Sequence, residues 1–210
     1  DGDGDLDIYL VNAAAANRYY SNEGGVYSER ASEVGLDDAG DGRALTFGDY
    51  DGDADIDLFV ANQDGDALLR NDGGRYVEVH AAAGVTSVPK DVGCVFGDYD
   101  NDGDLDLFIA NQESDNRLYR NRGDGTYEKA TDLHLGAASV GSAFADVDND
   151  GDLDLVTTAL SSSSGGDEIY HNLGDGLLLP VGSLLALSPA ASGRALSIAD
   201  VDRDGDLDLF

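Results

Sequence analysis

Basic residues are scarce in this sequence: 12 lysines and arginines stand against 43 acids among 210 residues, a formal charge of -31 at neutral pH. That deficit argues against nucleic acid and anionic lipid as partners, because both attract basic surfaces, and it points toward cations. One cysteine, Cys94, excludes a disulfide framework, and no cluster of cysteine and histidine offers a zinc or iron–sulfur site. There is no run of eighteen apolar residues, so no segment reads as a membrane-spanning helix. Methionine and tryptophan are absent and the chain opens at Asp1 inside a motif. It therefore reads as a fragment, in which the lack of a leader peptide is uninformative.

What the sequence does contain is a repeat. The phrase DYDGDADID starts at Asp49, DYDNDGDLD at Asp98, DVDNDGDLD at Asp146 and DVDRDGDLD at Asp200, with spacings of 49, 48 and 54 residues. DGDGDLD, residues 1–7, is the same loop without its first two positions. Apolar segments adjoin every loop, and the chain carries ten tyrosines and six phenylalanines. A solvated acidic tail would lack both features.

Each repeat reads as four short strands. The first enters the aspartate loop (RALTFGD, VGCVFGD, RALSIAD) and the second leaves it (IDLFVAN, LDLFIAN, LDLVTTA); both are too rich in β-branched and aromatic residues, and too short, for helices. The third ends at Asn71, Asn121 and Asn172, where glycine turns lead back into a fourth strand. Cys94 falls in a first strand, at the position of Leu45, Ser142 and Leu196, as a small core residue. A four-stranded sheet of about fifty residues cannot bury both faces alone, so neighbouring units must stack, and radial stacking gives an all-β, partial β-propeller. The expected divisions are a partial blade over 1–42, blades over 43–91, 92–139 and 140–193, and the start of a further blade over 194–210. Two partial blades flanking three full ones imply a larger parent ring.

The aspartates themselves carry the chemical reading. Two unit charges about 4 Å apart repel by roughly 1 kcal/mol in water and about 4 kcal/mol at a surface-like dielectric, so crowding five together needs compensation. Counted from Asp98, acids stand at positions 1, 3, 5, 7 and 9 with Gly103 at 6; hard oxygens at alternate positions around a sharp bend suit Ca²⁺. Asp98, Asp100, Asp102 and Asp106 would give carboxylates and Asp104 its backbone carbonyl, its side chain facing solvent. The corresponding residues are Asp49, Asp51, Asp53, Asp55 and Asp57; Asp146, Asp148, Asp150, Asp152 and Asp154; Asp200, Asp202, Asp204, Asp206 and Asp208; and, in the shortened loop, Asp1, Asp3, Asp5 and Asp7. An EF-hand would need Glu at position 12 and flanking helices, whereas position 12 here is Val60, Ile109 or Thr157. The loops hold 24 of the 43 acids, and five Ca²⁺ ions, about one per loop, would bring the formal charge to -21. Two departures stand out: Ala54 replaces glycine at position 6, and the first loop lacks its first ligand.

FGDYDNDGDLDLFIAN, followed by NRLYRNRGDGTYEKAT, resembles the FG-GAP or VCBS repeat of integrin-α-type β-propellers, and within that group the proteins related to cartilage acidic protein that carry an ASPIC/UnbV domain. The resemblance spans the whole chain. It implies Ca²⁺ bound through positions 1, 3, 5, 7 and 9 of each loop, a secreted or cell-surface location, and usually a seven-bladed ring.

The expected function is adhesion or ligand binding, with a protein or glycan partner and structural Ca²⁺; no enzyme is expected. His80, His134 and His171 fall in unrelated contexts, and serines 161–164 lack a nucleophile motif. A lectin-like propeller is one alternative, with Tyr19, Tyr20, Tyr119 and Tyr170 as sugar-facing candidates, although aromatics at strand spacing more often pack. A polysaccharide-active enzyme is another, which would require an acid outside the loops with a raised pKa beside a pocket.

Overall fold

The computed structural model describes residues 2–130, 135, 139–159, 167–174, 176–181 and 196–209. His134 and residues 161–164 lie outside them, as does Asp1. The first sheet comprises β1 (Ile8–Leu10), β2 (Arg18–Glu23) and β3 (Val26–Glu29). A single helical turn, α1 (Ala31–Val34), leads to β4 (Gly42–Gly48), β5 (Asp57–Asn62), β6 (Ala67–Asn71) and β7 (Tyr76–Glu78). The same order recurs in β8 (Asp91–Gly97), β9 (Asp106–Asn111), β10 (Arg117–Asn121) and β11 (Tyr127–Lys129). It recurs again in β12 (Ser139–Ala145), β13 (Asp154–Ala159), β14 (Glu168–Asn172) and β15 (Leu178–Pro180), and β16 (Ile198–Ala199) pairs with β17 (Asp208–Leu209). Every sheet is an antiparallel meander in chain order.

The second strands explain why the sheets stack. All six residues of β5, β9 and β13 are buried, and alternate side chains leave on opposite faces. Leu58 and Val60 join Tyr19, Ala31 and Leu36 in a core shared with the first sheet, whereas Phe59 and Ala61 join Leu107, Ile109 and Tyr119 of the third. Phe108 and Leu118 then meet Leu155 and Tyr170 of the fourth. First strands of successive sheets also lie side by side, β4 against β8 and β8 against β12. This is a partial β-propeller. The first strands β4, β8 and β12 carry the same irregularity near their starts, at Gly42/Ala44, Asp91/Gly93 and Ser139/Gly141, a bulge that increases local twist.

Cys94 is a free, buried thiol in β8, its Sγ 3.8 Å from the Phe59 carbonyl, and burial raises its pKa. The α1 turn is an element beyond the four expected strands of the repeat; its two closing bonds run from the Gly35 and Leu36 amides to the Ala31 carbonyl. Arg30 supports it by pairing with Glu33 at 2.9 Å, and Leu36 fills the core beneath.

Candidate metal centres

The four loops beginning at Asp49, Asp98, Asp146 and Asp200 fold alike because their carboxylates bond their own backbone. Position 1 acts as the hub: Asp98 Oδ1 accepts the Asp102 amide and Oδ2 the Gly103 amide, both at 3.0 Å. Asp146 does the same toward Asp150 and Gly151, and Asp49 toward Asp53 and Ala54. Position 5 accepts the amide of position 7 in every loop, including Asp3 from Asp5. The residues at position 4, Gly52, Asn101, Asn149 and Arg203, all have positive φ, from 58° to 77°.

Position 9 is a buried clamp. Asp106 Oδ2 accepts the Tyr99 amide and Oδ1 the Asn121 amide, at 3.0 and 2.7 Å, tying the loop to the end of the third strand. Asp57 holds Tyr50 and Asn71, and Asp154 holds Val147 and Asn172, in the same way. Burial pushes the Asp57 carboxyl up to about 6 and that of Asp106 to about 7, despite the two amides that favour the charged form. A carboxyl with a raised folded-state pKa contributes stability that is present below its unfolded value near 3.9 and lost as pH rises through 6 and 7. The metal-free chain is therefore expected to melt several degrees higher at pH 5.5 than at pH 7.5, a difference that melts after exhaustive metal removal will check.

The position 7 side chains, expected to face solvent, are exposed at Asp5 and Asp206 and half-buried at Asp55, Asp104 and Asp152. Asp55 Oδ2 accepts the Gly73 amide at 3.0 Å, and Asp5 Oδ2 accepts that of Gly24 at 2.7 Å, docking each loop on its own glycine turn. Asp152 Oδ1 instead receives Asn101 Nδ2, from the preceding loop, at 2.6 Å.

Carboxylate oxygens of Asp98, Asp100 and Asp106 lie within 4.8 Å of one another, as do those of Asp146, Asp148 and Asp154, of Asp200, Asp202 and Asp208, and of Asp49, Asp51 and Asp53. Asp102, Asp150 and Asp204 stand outside these groups, and Asp3, Asp5 and Asp7 form none among the described residues. At position 3, Asp51 Oδ1 and Asp100 Oδ1 are buried without a hydrogen-bond partner. Burial, and after it the nearby acids, raise the pKa of both groups. A buried carboxylate oxygen left unpaired costs about 1–3 kcal/mol or more, and two further carboxylates facing it aggravate the cost. The donor set, all hard oxygens, fits a hard divalent cation.

In two loops a basic residue, not foreseen from the sequence, accompanies position 3. Arg120 Nε lies 2.6 Å from Asp100 Oδ2 and His171 Nδ1 lies 3.2 Å from Asp148 Oδ2. Both residues stand immediately before the asparagine that ends the third strand, so the register was the available signal. Ala54, at φ 74°, occupies a backbone region that costs a non-glycine residue roughly 1–2 kcal/mol. Ala54→Gly is expected to stabilise the chain by about 1 kcal/mol, read as a shift in the urea midpoint at unchanged slope.

Two further places bear on function. A polar cleft of about 390 Å³ opens beside the Asp49 loop, lined by Tyr50, Asp51 and Arg70 and by the Asp124–Thr126 turn of the next sheet. Elsewhere, Arg117 lies between two carboxylates outside the loops, 2.5 Å from Asp91 and 3.6 Å from Asp66. Burial and Asp91 raise the pKa of Asp66, which is the raised acid an enzyme would need. Its side chain and that of Asp91 are fully enclosed, however, so no polysaccharide reaches them. Tyr19, Tyr119 and Tyr170 are packed, with hydroxyls bonded to Asp7, Thr86 and Glu168 respectively, while Tyr20 is partly exposed. His80 pairs with Glu78 at 2.6 Å on the surface.

Fold and loops together define a repeat propeller with an acidic, cation-suited loop in each blade. The FG-GAP-like repeat model matches residues 1–60, 49–109, 98–157 and 158–210, and the chain belongs to that family. No curated protein is matched. Among solved structures, the chain is similar to a lectin of Agrocybe aegerita described as specifically recognising non-reducing terminal N-acetylglucosamine. The identity is 17% and the TM-score 0.54, over 97% of this chain and 60% of that one. It is also similar to the Vibrio cholerae biofilm matrix protein Bap1, with 19% identity and a TM-score of 0.46 over 95% of this chain and 42% of that one. The chain thus spans less than two thirds of either protein's length. No helix among the described residues is long and apolar enough to cross a membrane.

Proposed function

We propose that this chain is part of an extracellular, calcium-loaded propeller module for adhesion or ligand binding, in which the ions are structural and no catalysis takes place. The observation that carries the reading is the repeated group of three carboxylates, with Asp51 Oδ1 and Asp100 Oδ1 buried and unpaired. A cation at each group would accept those oxygens and offset the repulsion among the acids. Positions 1 and 3, joined by 9 or 5, would supply the ligands, and the carbonyl of position 7 completes the set the sequence pattern suggests. Ca²⁺ suits flexible, many-oxygen sites better than Mg²⁺, which demands near-ideal octahedral geometry.

Calorimetric titration tests this. Expected is uptake of about four Ca²⁺ per chain, with Mg²⁺ bound far more weakly; heats indistinguishable from dilution would overturn it.

Carbohydrate binding is the second reading, supported by the likeness to a lectin and by the cleft at Tyr50, Arg70 and Thr126. Its size falls within the range of small-ligand sites. A glycan array probed with Ca²⁺-loaded chain separates it from protein adhesion, since a pure protein adhesin would leave every sugar unbound.

A further inference from the structure

We propose that successive loops are energetically coupled through the asparagine at position 4, so that filling one loop tightens the next wherever that asparagine is present. The inference rests on the cation reading above. It is carried by a contact that recurs across blades: Asn101 Nδ2 donates to Asp152 Oδ1 at 2.6 Å, and Asn149 Nδ2 donates to Asp206 Oδ1 at 3.2 Å. In each case position 4 of one loop reaches position 7 of the following one. Where position 4 is Gly52 there is no side chain to reach Asp104, whose carboxylate lies against Gly123 just as that of Asp152 lies against Gly174.

Both ends of this contact belong to the ligand-bearing backbone. Asn101 sits between Asp100 and Asp102 with φ 58°, so its side chain points where the loop's own fold directs it. Asp152 has its amide bonded to Asp150 Oδ1, within the neighbouring loop. A cation that orders either loop therefore fixes one partner of the bond and lowers the entropy cost of ordering the other; by linkage the effect is reciprocal. A second contact is common to every complete interface. Asn121 Nδ2 bonds the Tyr50 and Leu105 carbonyls, and Asn172 Nδ2 bonds those of Tyr99 and Leu153, joining position 2 of one loop to position 8 of the next. Relief of charge repulsion and this common bond act at all interfaces alike. The position 4 bond is what makes the Asp98 and Asp146 loops a more tightly linked pair than the Asp49 and Asp98 loops.

Terbium luminescence in the full chain separates the terms. Tyr99 lies inside the Asp98 loop, while Val147 and Val201 stand at that position in the next two loops, so the part of the emission lost in a Tyr99→Phe counterpart reports the Asp98 loop, whereas Tyr76, whose hydroxyl bonds the Ile56 carbonyl, lights the Asp49 loop in either background. Disabling the neighbour with Asp148→Ala is expected to weaken Tb³⁺ at the Asp98 loop about three- to tenfold, the range of one hydrogen bond, and by less than about twofold when Asn101→Gly is also present. Asn101→Gly copies the chain's own Gly52 and keeps a compatible backbone. An equal loss in both backgrounds would overturn the coupling while leaving the cation sites standing. No sensitised luminescence in the parent chain would overturn both.

Discussion

Replacing Arg117 with alanine is expected to destabilise the chain by about 3–5 kcal/mol, because it leaves Asp91 enclosed without a counter-charge and facing Asp66, whose carboxyl burial already pushes toward the neutral form. The guanidinium is 3% exposed, with Nη2 2.5 Å from Asp91 Oδ2, and both carboxylate side chains are fully buried. Asp91 also accepts Asn111 Nδ2 at 2.8 Å and Asp66 accepts the Asn62 amide at 3.0 Å, so neither can turn away to solvent without breaking a strand end. The triad joins the second and third sheets. In a chain of this size the loss corresponds to a fall in melting temperature of roughly 10 °C. Asparagine stands at the position of Asp66 in two other blades, as Asn17 and Asn116, while the fourth carries Asp167. Asp66→Asn should therefore be close to neutral alone and should recover part of the Arg117→Ala loss, which thermal melts of the single and double variants will measure. A double variant no better than Arg117→Ala would show that the charge of Asp66 is not what the arginine offsets.

The second large effect lies in the loop clamp. Asp106→Ala strips the buried Tyr99 and Asn121 amides of their acceptor, and at about 1–3 kcal/mol for each orphaned group the cost is about 2–6 kcal/mol even without metal. Asp106→Asn retains one acceptor and should recover about half. The comparison distinguishes a clamp from a pure ligand. If Asp106 served only the cation, both variants would match the parent in chelator and differ from it only when Ca²⁺ is added.

Much of this was legible beforehand. The third strands end at Asn71, Asn121 and Asn172, the residues at which the glycine turns were read, and the alternation in LDLFIAN places its side chains on two buried faces. What escaped the sequence depends on residues far apart in the chain. Nothing local marks Asp66, Asp91 and Arg117 as one triad, because they come from two sheets and three separate strand starts. The bond from Asn101 to Asp152 spans 51 residues and becomes visible only once blades are stacked. The buried role of position 9 was hidden for a different reason: its spacing matches that of the other acids, and only the strand register shows it facing inward. The α1 turn was missed because ASEV is too short for helical periodicity to appear.

Whether cations hold the blades in register is tested most directly by a thermal melt of the chain at pH 7.5 in excess Ca²⁺ and after metal removal. Each occupied loop at a hundredfold excess over its dissociation constant adds about 2.7 kcal/mol, so four loops would supply roughly as much as the 5–15 kcal/mol that typically separates folded from unfolded domains. Expected is a fall of about 20 °C or more on metal removal, restored by Ca²⁺. Superimposable melts would contradict it and leave the aspartate loops as solvated turns held by their own backbone bonds.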